Sequence, residues 1–346
     1  MTSTDTQTAN TSTRSYRDYS RSLWQRWLLT RESAVIGALV IVVLIAAGTV
    51  QNFGTPVTLG FLLLDVTPIL MIALPMTFVI VSGEIDLSVA STLGLSSVLL
   101  GVLVKAGWPI ELAMVVCLLV GLAAGAVNGF LVTVVGLPSL AVTIGTLALF
   151  RGIAVGLLGT TAITEFPFEW QSLVQSRFGT TGIPVVMVLV VVLIVVFALL
   201  LHATPYGRGL FALGLSNETA AFSGVHVGRT KFVAFLLCGL ISALAGIYWT
   251  LRYGSARGDN AVGLELSVIA AVLLGGVSIF GGKGALHGVI AGVLLIGVLQ
   301  SALRLANVSS DAINIITGVL LIVSVLSPRI LGLIRASRAS RRRSTA

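Results

Sequence analysis

Long stretches of this chain carry no charge at all, and that limits its fold more than any motif does. Residues 34–50, 184–201 and 312–326 reach or approach the roughly 17 to 25 apolar residues that a helix needs to cross a bilayer. In hydrocarbon every backbone amide and carbonyl must be bonded within the protein, so only helices and closed barrels are available. The runs are apolar on every face and lack the alternation of barrel strands, which leaves helices. Composition agrees: 10% of residues are charged and 56% hydrophobic, against about 25% charged in a soluble domain. A soluble globular fold is excluded, and the expected class is an all-α integral membrane protein.

Ten spans are expected, at about 34–50, 57–82, 87–104, 111–135, 139–159, 184–202, 231–252, 264–280, 285–303 and 311–328. An even count puts both termini on one side. Under that topology fifteen Lys and Arg fall on the terminal side, five lie opposite (Lys105, Arg177, Arg252, Arg257, Arg304), and Arg151 stays inside a span. Positive charge accumulates on the cytoplasmic side, so both termini and a loop over 203–230 are expected in the cytoplasm. The domain plan is then a disordered basic tail over 1–33, a membrane domain over 34–328 and a basic tail over 329–346. The opening residues are rich in Thr, Ser and Asn before the first Arg and do not resemble a secretory leader.

The net charge of +8 does not point to nucleic acid, because no basic segment is interleaved with aromatics in a soluble module. Topology beside anionic lipid accounts for it. Cys117 and Cys238 sit inside apolar runs, where a thiol is a small buried hydrophobe. His202, His226 and His287 are far apart in sequence, and no metal-ligand cluster or nucleophile and base pattern appears. No catalytic residue, metal or cofactor is expected. Gly121, Gly125 and Gly129 recur every four residues, a face that lets helix backbones approach closely in lipid.

Several polar residues stand out against this background. The stretch SGEIDLSVAS over 82–91 places Glu84 and Asp86 between two spans, with Ser88 and Ser91 able to cap or line the next helix. It reads either as a capped turn or as part of a transport path or gate. Asp65 early in the second span, Glu265 at the start of the eighth and Arg151 in the fifth either face a polar cavity or snorkel to an interface. Arg151 is a candidate partner for a carboxylate across the bundle. The run GGVSIFGGKG over 275–284 invites a phosphate-loop reading, but Val277 and Gly284 occupy the positions where a Walker A loop needs glycine and Ser or Thr. Gly281, Gly282, Lys283 and Gly284 are expected to form a tight cytoplasmic turn, and any ATP must be bound by another subunit. The long outward loop over 160–183 is either a docking surface or a solvated connection.

The polar interruption over 204–231 contains LSNETAAFSG. Ser216 or Asn217 can cap a short helix, Glu218 suits its first turn, Ala220 and Ala221 favour helix, and Gly224 ends it. So short a helix is marginal alone. It rests either on lipid headgroups or in a groove of a partner.

Four motifs in one order, GEIDLSV at 83–89, GLPSLAVTIGTLALFRG at 136–152, the AAFSG core at 220–224 and AAVLLGG through GGKG at 270–284, resemble the permease subunits of bacterial ABC sugar importers. The resemblance is to the ribose, xylose, rhamnose and autoinducer branch and covers roughly 57–328. Glu84 and Ala90 depart from the commoner GGIDLSVG turn. The resemblance implies a type II, vitamin B12 importer-like bundle in the bacterial inner membrane. It implies two permease copies or two related permeases, two cytoplasmic ATP-binding-cassette subunits and an extracytoplasmic sugar-binding protein. Asn217, Glu218, Ala220, Ala221, Ser223 and Gly224 would then be the coupling helix in the ATPase groove. Glu84, Asp86, Ser88, Ser91, Asp65, Thr143, Thr146 and Arg151 are the candidates for path or gate. The main rival, an ion-coupled secondary transporter, needs a deep carboxylate, and Asp65 is the candidate. A channel lacks a filter motif.

Overall fold

The structure, a computed structural model, describes residues 31–320 together with 322, 323 and 326. The tail expected over 329–346, residues 1–30 of the other tail and most of the tenth span beyond residue 320 lie outside the described residues. In chain order the helices are α1 (Arg31–Thr49), α2 (Pro56–Val81), α3 (Val89–Lys105), α4 (Ile110–Thr133), α5 (Ser139–Leu158) and α6 (Phe168–Gln175). They continue with α7 (Met187–Ala203), α8 (Pro205–Leu215), α9 (Asn217–Phe222), α10 (Val227–Tyr253), α11 (Leu264–Leu274), α12 (Leu286–Leu305) and α13 (Ser310–Leu320). The first helix among the described residues is α1, which takes in residues 31–33.

Among the described residues six helices (α1, α2, α4, α5, α10 and α12) are long and apolar enough to cross a membrane, and α7 with α8 passes only as a pair bent by 66°. Helices α3, α11 and α13 are apolar but shorter. The largest departure from expectation is α11, which has 11 residues and stops at Leu274 instead of running to 280. Its C-cap is Gly275, and Gly276 follows at φ 95°, a conformation that a helix cannot use. The bend between α7 and α8 has an equally local cause. Thr204 is extended, its hydroxyl accepts from the Gly207 amide at 3.2 Å, and Pro205 opens α8 at a position where no amide is needed.

Large apolar side chains lie on the outside of the bundle, among them Leu44, Leu119, Ile144, Leu149, Val191 and Leu199. That is the surface of a protein solvated by lipid. Helix α2 lies at the centre and is buried almost continuously from Leu62 onward. Two prolines, Pro68 and Pro75, sit inside it. Pro68 has no amide to offer the Leu64 carbonyl, and in hydrocarbon an unpaired carbonyl costs several kcal/mol. The Tyr248 hydroxyl of α10 donates to that carbonyl at 2.6 Å instead.

Helix α10 packs along α4 through the expected glycine stripe. A methyl group at Gly121 would meet the Gly239 carbonyl oxygen at 2.7 Å, and one at Gly129 would meet the Phe232 ring at 2.9 Å. The two backbones are as close as missing side chains allow. The long loop over 160–183 carries α6 and is pinned to the loop after α10, where Ile163 and Ala256 exchange amide bonds of 3.0 and 2.8 Å.

Candidate functional site

The two ends of the bundle differ in chemistry. At one end Asp65 of α2 lies 3.3 Å from Arg304 of α12 and 3.8 Å from Arg252 of α10, while Arg177 and Arg252 both stack on the Phe61 ring. At the other end three polar segments that are remote in sequence come together: the turn after α2, the stretch from α8 to the start of α10, and the turn before α12.

Their junction is built mostly from backbone. The Gly282 amide donates to the Val81 carbonyl at 2.9 Å, joining the two turns. Gly214, near the end of α8, presses on this bond from the side: an added methyl group would collide with both the Val81 oxygen and the Gly282 nitrogen. Gly281 and Gly282 hold φ values of 81° and 71°, and the Ser278 amide closes the turn by donating to the Lys283 carbonyl at 2.9 Å. Lys283 itself is exposed. A further tie is ionic: the Lys231 ammonium of α10 donates to the Glu84 carboxylate at 2.6 Å, with both side chains largely buried.

Asp86 is fully buried behind this turn. It accepts from the Ser88 hydroxyl at 2.7 Å and the Ser88 amide at 2.9 Å, and the Asn128 amide of α4 donates to the same hydroxyl at 2.8 Å. Burial pushes the Asp86 carboxyl above the usual carboxylate range, with the Ser88 bonds offsetting only part of it. Ser88 stands at the N-cap of α3 but makes no capping bond, because its hydroxyl is committed to Asp86. Ser91 returns its hydroxyl to the Ser88 carbonyl at 2.8 Å. Thr143 bonds the Ser139 and Ile85 carbonyls at 2.8 and 3.3 Å, and Thr146 bonds Val142 at 3.1 Å, so both hydroxyls are occupied in buried surroundings. The Ser139 hydroxyl accepts from the Ile85 amide at 3.2 Å. The turn is thus clamped to α5 on both backbone groups of Ile85.

Arg151 is held by backbone carbonyls. It makes no ion pair among the described residues; its guanidinium donates to the Gly258, Asn260 and Ala90 carbonyls at 2.9, 2.7 and 3.2 Å. Glu265 lies in the first turn of α11. His202 and His287, remote in sequence, converge where the Leu286 amide reaches the His202 ring at 3.5 Å. No group of three metal-ligating side chains forms among the described residues.

The stretch over 203–230 is mostly helical rather than a loop. Ser216, not Asn217, caps α9, its hydroxyl accepting from the Thr219 amide at 3.2 Å. The helix ends at Phe222, and Gly224 follows at φ 83°. Asn217, Glu218, Ala221, Ser223 and Gly224 are exposed, whereas Ala220 is buried against its own chain. Phe222, which sequence reasoning passed over, is 93% exposed, with Leu215 70% exposed beside it in the chain. A cleft of about 330 Å³ opens next to α9, walled by Tyr206, Ser223, His226 and Arg229. Sequence reasoning also missed Lys231, which entered only the count of positive charge, and Gly214, which it passed over.

Residues 58–325 match the family model described as branched-chain amino acid transport system / permease component. The autoinducer 2 import system permease protein LsrD of Escherichia coli O157:H7 is 38% identical over 262 residues, 74% of this chain and 79% of that protein. The proteins of the same name from Escherichia coli strain K12 and Shigella flexneri are each 36% identical over 300 residues, 84% of this chain and 90% of theirs. No solved structure gives a significant match. With its lipid-facing apolar helices, this is a multi-pass inner-membrane protein, and the chain belongs to the ABC importer permease family, in the branch that holds ribose and autoinducer 2 import.

Proposed function

We propose that this chain is the membrane-spanning subunit of an ATP-driven importer of a monosaccharide or of autoinducer 2, and that α9 is where a separate ATPase subunit docks. The single observation behind the docking is α9 itself: a six-residue helix, capped at one end and closed by a left-handed glycine at the other, that projects Phe222 into solvent. An aromatic so exposed on a helix too short to stand alone calls for a partner's groove, and the neighbouring cleft gives that partner a socket.

The bundle crosses the membrane ten times in this reading, as a type II permease with both termini and α9 in the cytoplasm. It works as a homodimer or with a related permease, and receives solute from an extracytoplasmic binding protein at the Asp65 end. Movement of α9 passes through α8 to Gly214 and the bonded turns, and through α10 to Lys231 and Glu84. The bundle then switches which side its cavity faces as a rigid-body change. The secondary-transporter reading loses its ion-coupling residue, since Asp65 already faces two arginines.

The test is co-purification of the permease with its ATPase subunit. Phe222→Asp and Glu218→Lys alter exposed side chains, so insertion and expression should be unchanged while ATPase recovery falls at least tenfold, as loss of a central interface anchor costs about 2 kcal/mol or more. Wild-type recovery of the ATPase with both variants overturns the docking assignment.

A further inference from the structure

The residues picked from sequence as path candidates are mostly sealed into the bundle, yet a cavity elsewhere is open. It has a volume of about 550 Å³ and lies between α2, α10, α11, α12 and α13. Small-molecule sites commonly occupy about 300–1,000 Å³ and combine apolar walls with a few convergent polar groups. Here the walls include Ile69, Trp249 and Leu266, and the polar groups are Ser267, Gln300, Asn314 and Thr317. Thr317 is buried, Ser267 and Gln300 are half-buried and Asn314 lies exposed at the mouth, a polar lining that is costly beside an apolar bundle unless something uses it. Gln300 donates to the Thr317 hydroxyl at 3.3 Å, while Ser267 and Asn314 make no side-chain bond with any described residue.

The cavity adjoins a second hollow of about 420 Å³ that shares Trp249, Ala261 and Val262 and reaches the surface at the loop after α10. Charge decides what can enter. No ionisable side chain lines the deeper cavity, and the charges at the rim neutralise each other: Arg257 donates to both Asp259 oxygens at 2.9 Å. A charged solute would find no counter-charge there. Hydroxyl groups would meet amides and hydroxyls able both to donate and to accept, with an indole face beside them.

We infer that this cleft is the outward-facing seat of the transported solute and that it takes a neutral polyhydroxylated ring. The inference rests on the importer reading, which it extends by naming the site.

The experiment uses the complete transporter, with ATPase and binding protein, in membrane vesicles. Whichever of autoinducer 2, D-ribose, D-xylose and L-rhamnose it imports fastest serves as the probe. Import of none of them sinks the functional reading itself. Given import, Ser267→Cys and Thr317→Cys should react with a hydrophilic maleimide added on the Asp65 side, and saturating probe should slow labelling several-fold. Native Cys117 and Cys238 are buried and set the background. Gln300→Ala and Asn314→Ala should raise KM roughly three- to tenfold, the size expected for one lost neutral hydrogen bond, with kcat within twofold. Cysteines that resist the reagent, as in a lipid-filled groove, overturn the inference while leaving the importer reading intact. So do labelling that the probe does not slow and KM values that stay at wild type.

Discussion

Glu84 and Lys231 are 147 positions apart and meet at 2.6 Å in surroundings nearly closed to solvent. Removing one member of such a pair strands the other, at a cost of about 3–5 kcal/mol when burial is complete. Glu84→Lys and Lys231→Glu should each lower the thermal midpoint of the purified protein and cut uptake. The double exchange should recover more than half of both. Additive losses in the double variant would mean that the contact does not couple the turn after α2 to α10. Arg151 permits a second test. Its planar fork reaches three carbonyls on two elements, and lysine cannot reproduce that geometry. Arg151→Lys should cost about 2 kcal/mol and make the segment over 254–263 more sensitive to limited proteolysis. Glu84, Asp86 and Arg151 stood out in the sequence, because a charge beside an apolar run is costly and therefore conspicuous. Their partners were not legible, because Lys231 looked like any basic residue at a span end and the carbonyls that Arg151 uses carry no sequence signature.

The stripe of Gly121, Gly125 and Gly129 sets how closely α4 and α10 approach. Gly125→Leu should push the helices apart and abolish assembly of a monodisperse protein in detergent size-exclusion chromatography. Gly145→Leu, on an exposed face with nothing within 4 Å, is the control and should behave as wild type. For α9, loss of the cap in Ser216→Ala should cost about 1 kcal/mol and speed amide hydrogen exchange over 217–222. Apolar runs were readable as helices because hydrocarbon tolerates nothing else, and the glycine that ends α9 was readable from its type. Helix α8 was passed over because its Gly and Arg residues broke the apolar count, although Thr204 and Pro205 form a start signal. The early stop of α11 was hidden because Val277, Ile279 and Phe280 continue the apolar run after the backbone has already turned at Gly276.

Among the described residues, Arg177, Arg252 and Arg304 gather at the Asp65 end, and the bonded turns, α8 and α9 lie at the other. An odd number of spans between Glu84 and Lys231 would have put the two at opposite ends. Family membership gives the chain a role in import, and in the proposed mechanism the mechanical route runs from α9 into the bundle. The central claim is that this route is driven by ATP hydrolysed on a partner. The most direct measurement is solute uptake into proteoliposomes holding permease, ATPase and binding protein, with nucleotide confined to the α9 side. Uptake should require hydrolysable ATP, fail with a non-hydrolysable analogue and survive ionophores that collapse proton and sodium gradients. Uptake that proceeds without ATP and disappears with the ionophores would contradict it.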